Sequence, residues 1–114
     1  MKHKSKKKNQ KGSGPLQGEA QVLVKLFSTK KFEETERLAR ALIKKRPYDP
    51  LPWKILGAVF GETGQIRDAL KVNSHAVKLA PSDAEGHYNL GLTLKMLGRL
   101  AEAETSLRRA IELN

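Results

Sequence analysis

The stretch Trp53-Lys54-Ile55-Leu56-Gly57-Ala58-Val59-Phe60 returns one fixed interval further along as His87-Tyr88-Asn89-Leu90-Gly91-Leu92-Thr93-Leu94. The echo continues outward: Gly64, Ala69 and Ala76 recur as Gly98, Ala103 and Ala110 at the same separation. Pro47 precedes Pro81 by that interval too, which points to an earlier, weaker copy. A fixed period of about 34 residues marks a helical solenoid, because each short unit cannot bury its apolar face alone and must stack on its neighbours. The sequence therefore predicts an all-α chain of about three helix-turn-helix units, 16–49, 50–83 and 84–114, the last one incomplete.

Local chemistry supports that register. Small residues are needed where the two helices of one hairpin approach closely, since packed interiors leave little free volume. Gly57, Ala69 and Ala76 meet the need in the middle unit, and Gly91, Ala103 and Ala110 in the last. The first unit has Leu23, Thr35 and Leu42 at these places, and Ala39 where a large residue is usual, an exchange of volume expected in an atypical end unit. Gly64 and Gly98 fall where first helices should end in the left-handed conformation. Ser82 followed by Glu85 has the capping-box spacing, and Pro50 and Pro52 sit where a missing amide hydrogen costs little. The expected helices are 17–29, 32–46, 51–63, 66–80, 84–97 and 100–113. The link Thr29 to Lys31 has no glycine to end its helix.

These residues resemble the tetratricopeptide repeat, whose pattern carries Trp, Leu, Gly and an aromatic on the first helix and Ala, an aromatic, Ala and Pro on the second. The middle unit matches at Trp53, Leu56, Gly57, Phe60, Ala69, Ala76 and Pro81, and departs at Asn73, where an aromatic is usual. The last unit matches at Leu90, Gly91, Ala103 and Ala110, with His87 in the tryptophan place and Leu94 and Leu107 in the aromatic ones. The resemblance implies a right-handed α-α superhelix. It also implies that function is recognition of a protein or peptide segment on the concave face, lined by the first helix of each unit. Transferred onto this chain, that face holds Gln17, Ala20, Val24 and Phe27, then Leu51, Lys54, Ala58 and Glu62. The last unit adds Glu85, Tyr88, Asn89, Leu92, Lys95 and Met96. Mixed apolar area with two lysines and an amide able to bond a peptide in both directions suits a peptide better than a small molecule.

Two known uses of such a groove are only partly represented. A carboxylate clamp matches at Lys54 and Asn89 but has Ala58 in place of its key asparagine. An asparagine ladder matches at Asn89 alone, Ile55 and Gln21 failing to continue it. The order of motifs is also similar to the repeats that precede the catalytic domain of bacterial O-linked N-acetylglucosamine transferase-like proteins. A second reading is therefore a substrate-recognition arm of a larger glycosyltransferase-like enzyme.

The chain has no cysteine, which excludes disulfides and cysteine-ligated zinc. It has no apolar stretch long enough to span a bilayer or to act as a signal peptide behind the basic N-terminus, and cytoplasm is the expected location. The net charge of +10 is uneven: residues 1–11 contain six lysines and no acid. Residues 1–15 are expected to form a disordered basic arm ending in Gly12-Ser13-Gly14. Lys2, Lys4, Lys6, Lys7, Lys8 and Lys11 could contact RNA, ribosomes or an anionic membrane by counterion release, or simply keep the chain soluble. Within the repeats, Glu33 and Arg37, Glu36 and Arg40, and Glu104 and Arg108 have the four-residue spacing of exposed helical pairs.

No catalytic constellation, metal site or cofactor is expected. His75 has no second ligand at helical spacing, His87 has only Asp83, and no Gly-rich phosphate loop occurs. His87 reads as a packing substitution and His75 as a surface or inter-helix residue. The last helix ends at Asn114, where a proline and a further unit would follow. Leu107, Ala110 and Ile111 are accordingly expected to offer an apolar face to a next helix. The expectation allows truncation, self-association through this end, or acceptance of a partner helix.

Overall fold

A computed structural model describes residues 17–114. The basic arm expected at 1–15, with its six lysines, lies outside the described residues. Six helices follow one another: α1 (Gln17–Ser28), α2 (Phe32–Lys45), α3 (Pro50–Glu62), α4 (Ile66–Leu79), α5 (Ala84–Met96) and α6 (Leu100–Leu113). Each boundary lies within a residue or so of the expected one. The helices pair as hairpins α1–α2, α3–α4 and α5–α6, and α2 and α4 pack onto α3 and α5 to join the units. Neighbouring first helices also meet, α1 with α3 and α3 with α5, whereas the backbones of α2 and α4 stay further apart. First helices therefore form the inner, concave side and second helices splay along the outer one.

The close approaches fall where small residues predict them. A Cβ on Gly57 would overlap the amide of Asn73 on the facing helix, and one on Gly91 would stand 2.7 Å from Leu107. In the first hairpin the same pairing is inverted: Leu23 replaces the glycine and Ala39 the large residue, and both are fully buried in one cluster with Leu42, Leu56, Phe60 and Ala69. Burying a leucine contributes roughly 1.5–3 kcal/mol, so Leu23 is the main anchor of α1.

Turn chemistry separates into what was legible and what was not. Gly64 and Gly98 have φ of +81° and +78°, and the glycine-free turn between α1 and α2 uses Lys30 at +62° instead. The expected capping box at Ser82 is corrected. Asp83 caps α5 by accepting from the Glu85 N–H at 3.2 Å, as Asp49 caps α3 by accepting from Leu51 N–H at 3.0 Å. An aspartate directly before the helix meets the free amides of the first turn itself, leaving no role for a serine one residue earlier. Trp53 Nε1 donates to Pro47 O at 3.0 Å, and His87 Nε2 lies 2.8 Å from Pro81 O. The histidine thus occupies the tryptophan place and makes the equivalent polar contact to the loop that ends the preceding unit.

Candidate functional site

Between α3 and α5 the concave face opens into a cleft of about 400 Å³. Five of the residues assigned to this face by the sequence line it: Ala58 and Glu62 from α3, and Asn89, Leu92 and Met96 from α5. Met96 is 64% exposed and Tyr88, one position before Asn89, is 50% exposed. Lys95 is exposed beside Met96. An apolar side chain left this open to water has a cost that a bound segment would remove.

The base of the cleft is polar. Asn73, on α4, is 3% exposed; its Nδ2 donates to Thr93 Oγ1 at 3.0 Å, and Thr93 Oγ1 donates to the Asn89 carbonyl at 2.9 Å. Asn73 Oδ1 is buried with no hydrogen-bond partner. The Asn73 amide fills the space over Gly57, while Gly61, one turn further along the facing helix, leaves the cleft open. In the sequence Asn73 stands out as a departure from the repeat, but nothing there places it, or Thr93, in the site. The signal was an amide at an otherwise apolar core position.

Lys54 is also on this face but is engaged. Its Nζ lies 2.8 Å from Asp83 Oδ2 and 2.6 Å from Glu85 Oε1, and its side chain is 16% exposed. Burial alone would lower its pKa, but the hydrogen bonds and charges of the two carboxylates outweigh that and hold the ammonium above its usual range. Lys54 thereby ties the second unit to the cap of the third, and a ligand carboxylate would have to compete with two acids already in contact. The Asn89 side-chain amide has no hydrogen-bond partner among the described residues and is free to meet a peptide backbone.

The remaining expected residues separate. Of the three proposed to receive a next helix, Leu107 packs over Gly91 and Ala110 is buried within its own unit, so Ile111, at 75% exposure, is the open member. His75 packs against Trp53 with ring centroids 4.1 Å apart. Glu36–Arg40 and Glu104–Arg108 form ion pairs as spaced, whereas Glu33 and Arg37 form none among the described residues. No group of three or more His, Cys, Asp or Glu among the described residues could hold a metal ion. No described helix is long and apolar enough to cross a membrane.

Comparison with known proteins agrees with this architecture. Residues 84–114 match the family model Tetratricopeptide repeat. The O-GlcNAc transferase of Thermobaculum terrenum superimposes with a TM-score of 0.82 at 28% identity, covering 85% of this chain and 19% of that one. The Yersinia enterocolitica type III secretion chaperone SycD, solved in complex with a peptide of the translocator YopD, has a TM-score of 0.79 at 25% identity. That match covers 84% of this chain and 73% of the chaperone. Among curated proteins, a peroxisomal targeting signal receptor of Candida albicans is 25% identical over 91 residues, or 80% of this chain. The chain spans 15% of that receptor's length.

Proposed function

We propose that this tetratricopeptide-type solenoid is a protein-interaction scaffold whose concave face holds an extended or helical segment of another protein, without chemistry of its own. The observation that carries the reading is the α3–α5 cleft, where exposed Met96 and an unpartnered Asn89 amide surround a polar base, with Tyr88 exposed on the same helix. Open apolar side chains supply contact area and the amide supplies direction, the combination that fixes a peptide in one register. The peptide-bound SycD chaperone supports the reading at the level of the fold. Lys54 acts in it as an inter-unit brace with Glu62 and Lys95 at the rim, while Ala58 and Leu92 provide the walls.

The test is a peptide-library screen against the 114-residue chain, followed by variants of the best binder's site. Asn89→Ala and Met96→Ala should each weaken binding, the latter by about 1 kcal/mol or more if Met96 is covered. Binding that is indifferent to both variants would place recognition elsewhere.

A second reading is favoured by the transferase match. The same surface would serve as the substrate-recognition arm of a glycosyltransferase-like enzyme, with catalysis in a separate domain. Weighing the native polypeptide decides between them: a mass well above 12.7 kDa supports the arm, and a mass of 12.7 kDa removes it.

A further inference from the structure

The outer side of the solenoid carries a second cleft. Because the backbones of α2 and α4 stay apart, a space of about 330 Å³ opens between them. Its floor is α3, through Trp53, Leu56 and Phe60, and its walls are Ile43 of α2 and Val72 of α4. Its polar lining is Arg40 and Lys71 with one acid, Asp68. The size is at the low end of sites that hold a ligand, enough for one large side chain.

Cations surround it in register. Arg37 and Lys71 are one repeat apart, as are Lys44 and Lys78, so each pair takes the same place on α2 and on α4. All four are exposed, and none has an ion-pair partner among the described residues. Arg37 and Lys44 flank the cleft-lining Arg40 at helical spacings of three and four, on one stripe of α2. Lys44 and Lys78 stand near helix C-termini, where the backbone dipole accounts for a cation. Arg37 and Lys71 are in mid-helix and have no such account, and Arg37 leaves Glu33 unused. Arg40 is fixed, paired with Glu36 at 2.9 Å and held 5.7 Å over the Phe60 ring.

We propose that this outer cleft is a second docking site, for an acidic protein segment that inserts one large apolar side chain. The half-buried Trp53, Ile43 and Val72 take the anchor and the surrounding cations take carboxylates on either side of it, a desolvated centre within a charged rim. The chain's own N-terminal residues do not fit, since positions 1–11 carry six lysines and no acid. Single-stranded nucleic acid fits less well, because base stacking needs open aromatic faces. Phe60 is buried beneath Arg40, and His75 lies against the ring of Trp53.

Trp53 is the single tryptophan of the protein and lines this cleft, so its emission reports on it. The full chain is titrated with a peptide in which one Phe is flanked on both sides by glutamates. The expected result is a saturable emission change that weakens with salt and is lost when the peptide's Phe is replaced by Ala. Lys71→Glu should weaken binding about fivefold, Lys44→Glu should act in the same direction, and Asp68→Asn should tighten it. Met96→Ala, on the concave face, should leave it unchanged, which separates this site from the groove proposed above. No emission change, or equal binding by Lys71→Glu, overturns the proposal. So does an oligouridylate that alters Trp53 emission and displaces the peptide.

Discussion

Gly57 and Asn73 show how one pair of side chains sets both stability and binding space. The glycine lets the amide lie against its Cα, and any Cβ there overlaps it. Gly57→Ala should therefore cost about 1–3 kcal/mol in urea denaturation, although alanine is the better helix former by roughly 1 kcal/mol. In an Asn73→Ala background the cost should vanish. A penalty of the same size in both backgrounds would mean that some other contact is responsible. Asn73→Leu places the residue type found at the equivalent Leu107 and removes a buried, unpartnered Oδ1. It should raise stability by about 1 kcal/mol while filling the base of the concave cleft and weakening peptide binding there. A leucine variant that melts higher and binds as well as the parent would deny Asn73 any part in recognition. This residue explains why the site was only half legible. The places on the first helices follow from the repeat, but the depth of the cleft depends on a residue of the second helix seen across the hairpin. Leu23 and Ala39 were legible for the opposite reason, because each departs from the repeat in a direction that compensates the other.

At the scale of elements, two helices start in the same way and end up in different electrostatic environments. Asp49 and Asp83 cap α3 and α5 with matching hydrogen bonds. Asp83 faces Lys54, whereas the place equivalent to Lys54 in the first unit is Ala20. Asp49 Oδ2 is buried without a hydrogen-bond partner, and burial pushes its carboxyl above the usual range despite the Leu51 N–H and the charge of Arg46. A carboxylate raised in the folded state favours folding when protonated. Its contribution is full below the unfolded value near 3.8 and is lost as pH rises through the folded value. Asp49→Asn keeps the cap without the charge, so at neutral pH it should be neutral or stabilising, and it should flatten the pH dependence just above that value. Asp83→Asn, which removes a contact of Lys54, should instead cost about 0.5–1 kcal/mol. Ala20→Lys should supply Asp49 with the missing partner and bring its carboxyl back down, read by the NMR titration of its side-chain carbon. Helix limits were legible because glycine and proline punctuate them. The Asp83 cap was missed because Ser82 and Glu85 offer the better-known spacing, and the repeat of Asp49 at Asp83 carried the stronger signal.

The described residues form an elongated body, 53 × 31 × 20 Å with a radius of gyration of 15.0 Å, against about 13 Å for a globular domain of this size. A solenoid of this kind has no single core to bind its ends, so each unit is held by its own hairpin and by its neighbours. The first hairpin is the least secured. α1 has one fully buried side chain, Leu23, while Val22 and Val24 on either side are about half exposed. The cross-hairpin ion pair between Glu19 and Lys45, at 3.2 Å, is exposed enough to add only about 0–1 kcal/mol. α3, by contrast, buries Leu56, Val59 and Phe60 and touches helices on both sides. Native-state hydrogen exchange should therefore show α1 opening first, at a free energy well below global unfolding, with α3 and α4 the most protected. Leu23→Ala should lower protection in α1 and α2 by about 2–5 kcal/mol or to the limit of local opening, leaving α5 and α6 nearly unchanged. Uniform loss of protection across all six helices would show that the three units unfold as one. The binding sites divide along the same line: the concave cleft is built from α3, α4 and α5, the protected centre, whereas one wall of the outer cleft is α2. Opening the first hairpin should thus release a ligand from the outer cleft before it disturbs the groove, and a Leu23→Ala variant should lose the Trp53 response while keeping peptide binding at Asn89 and Met96.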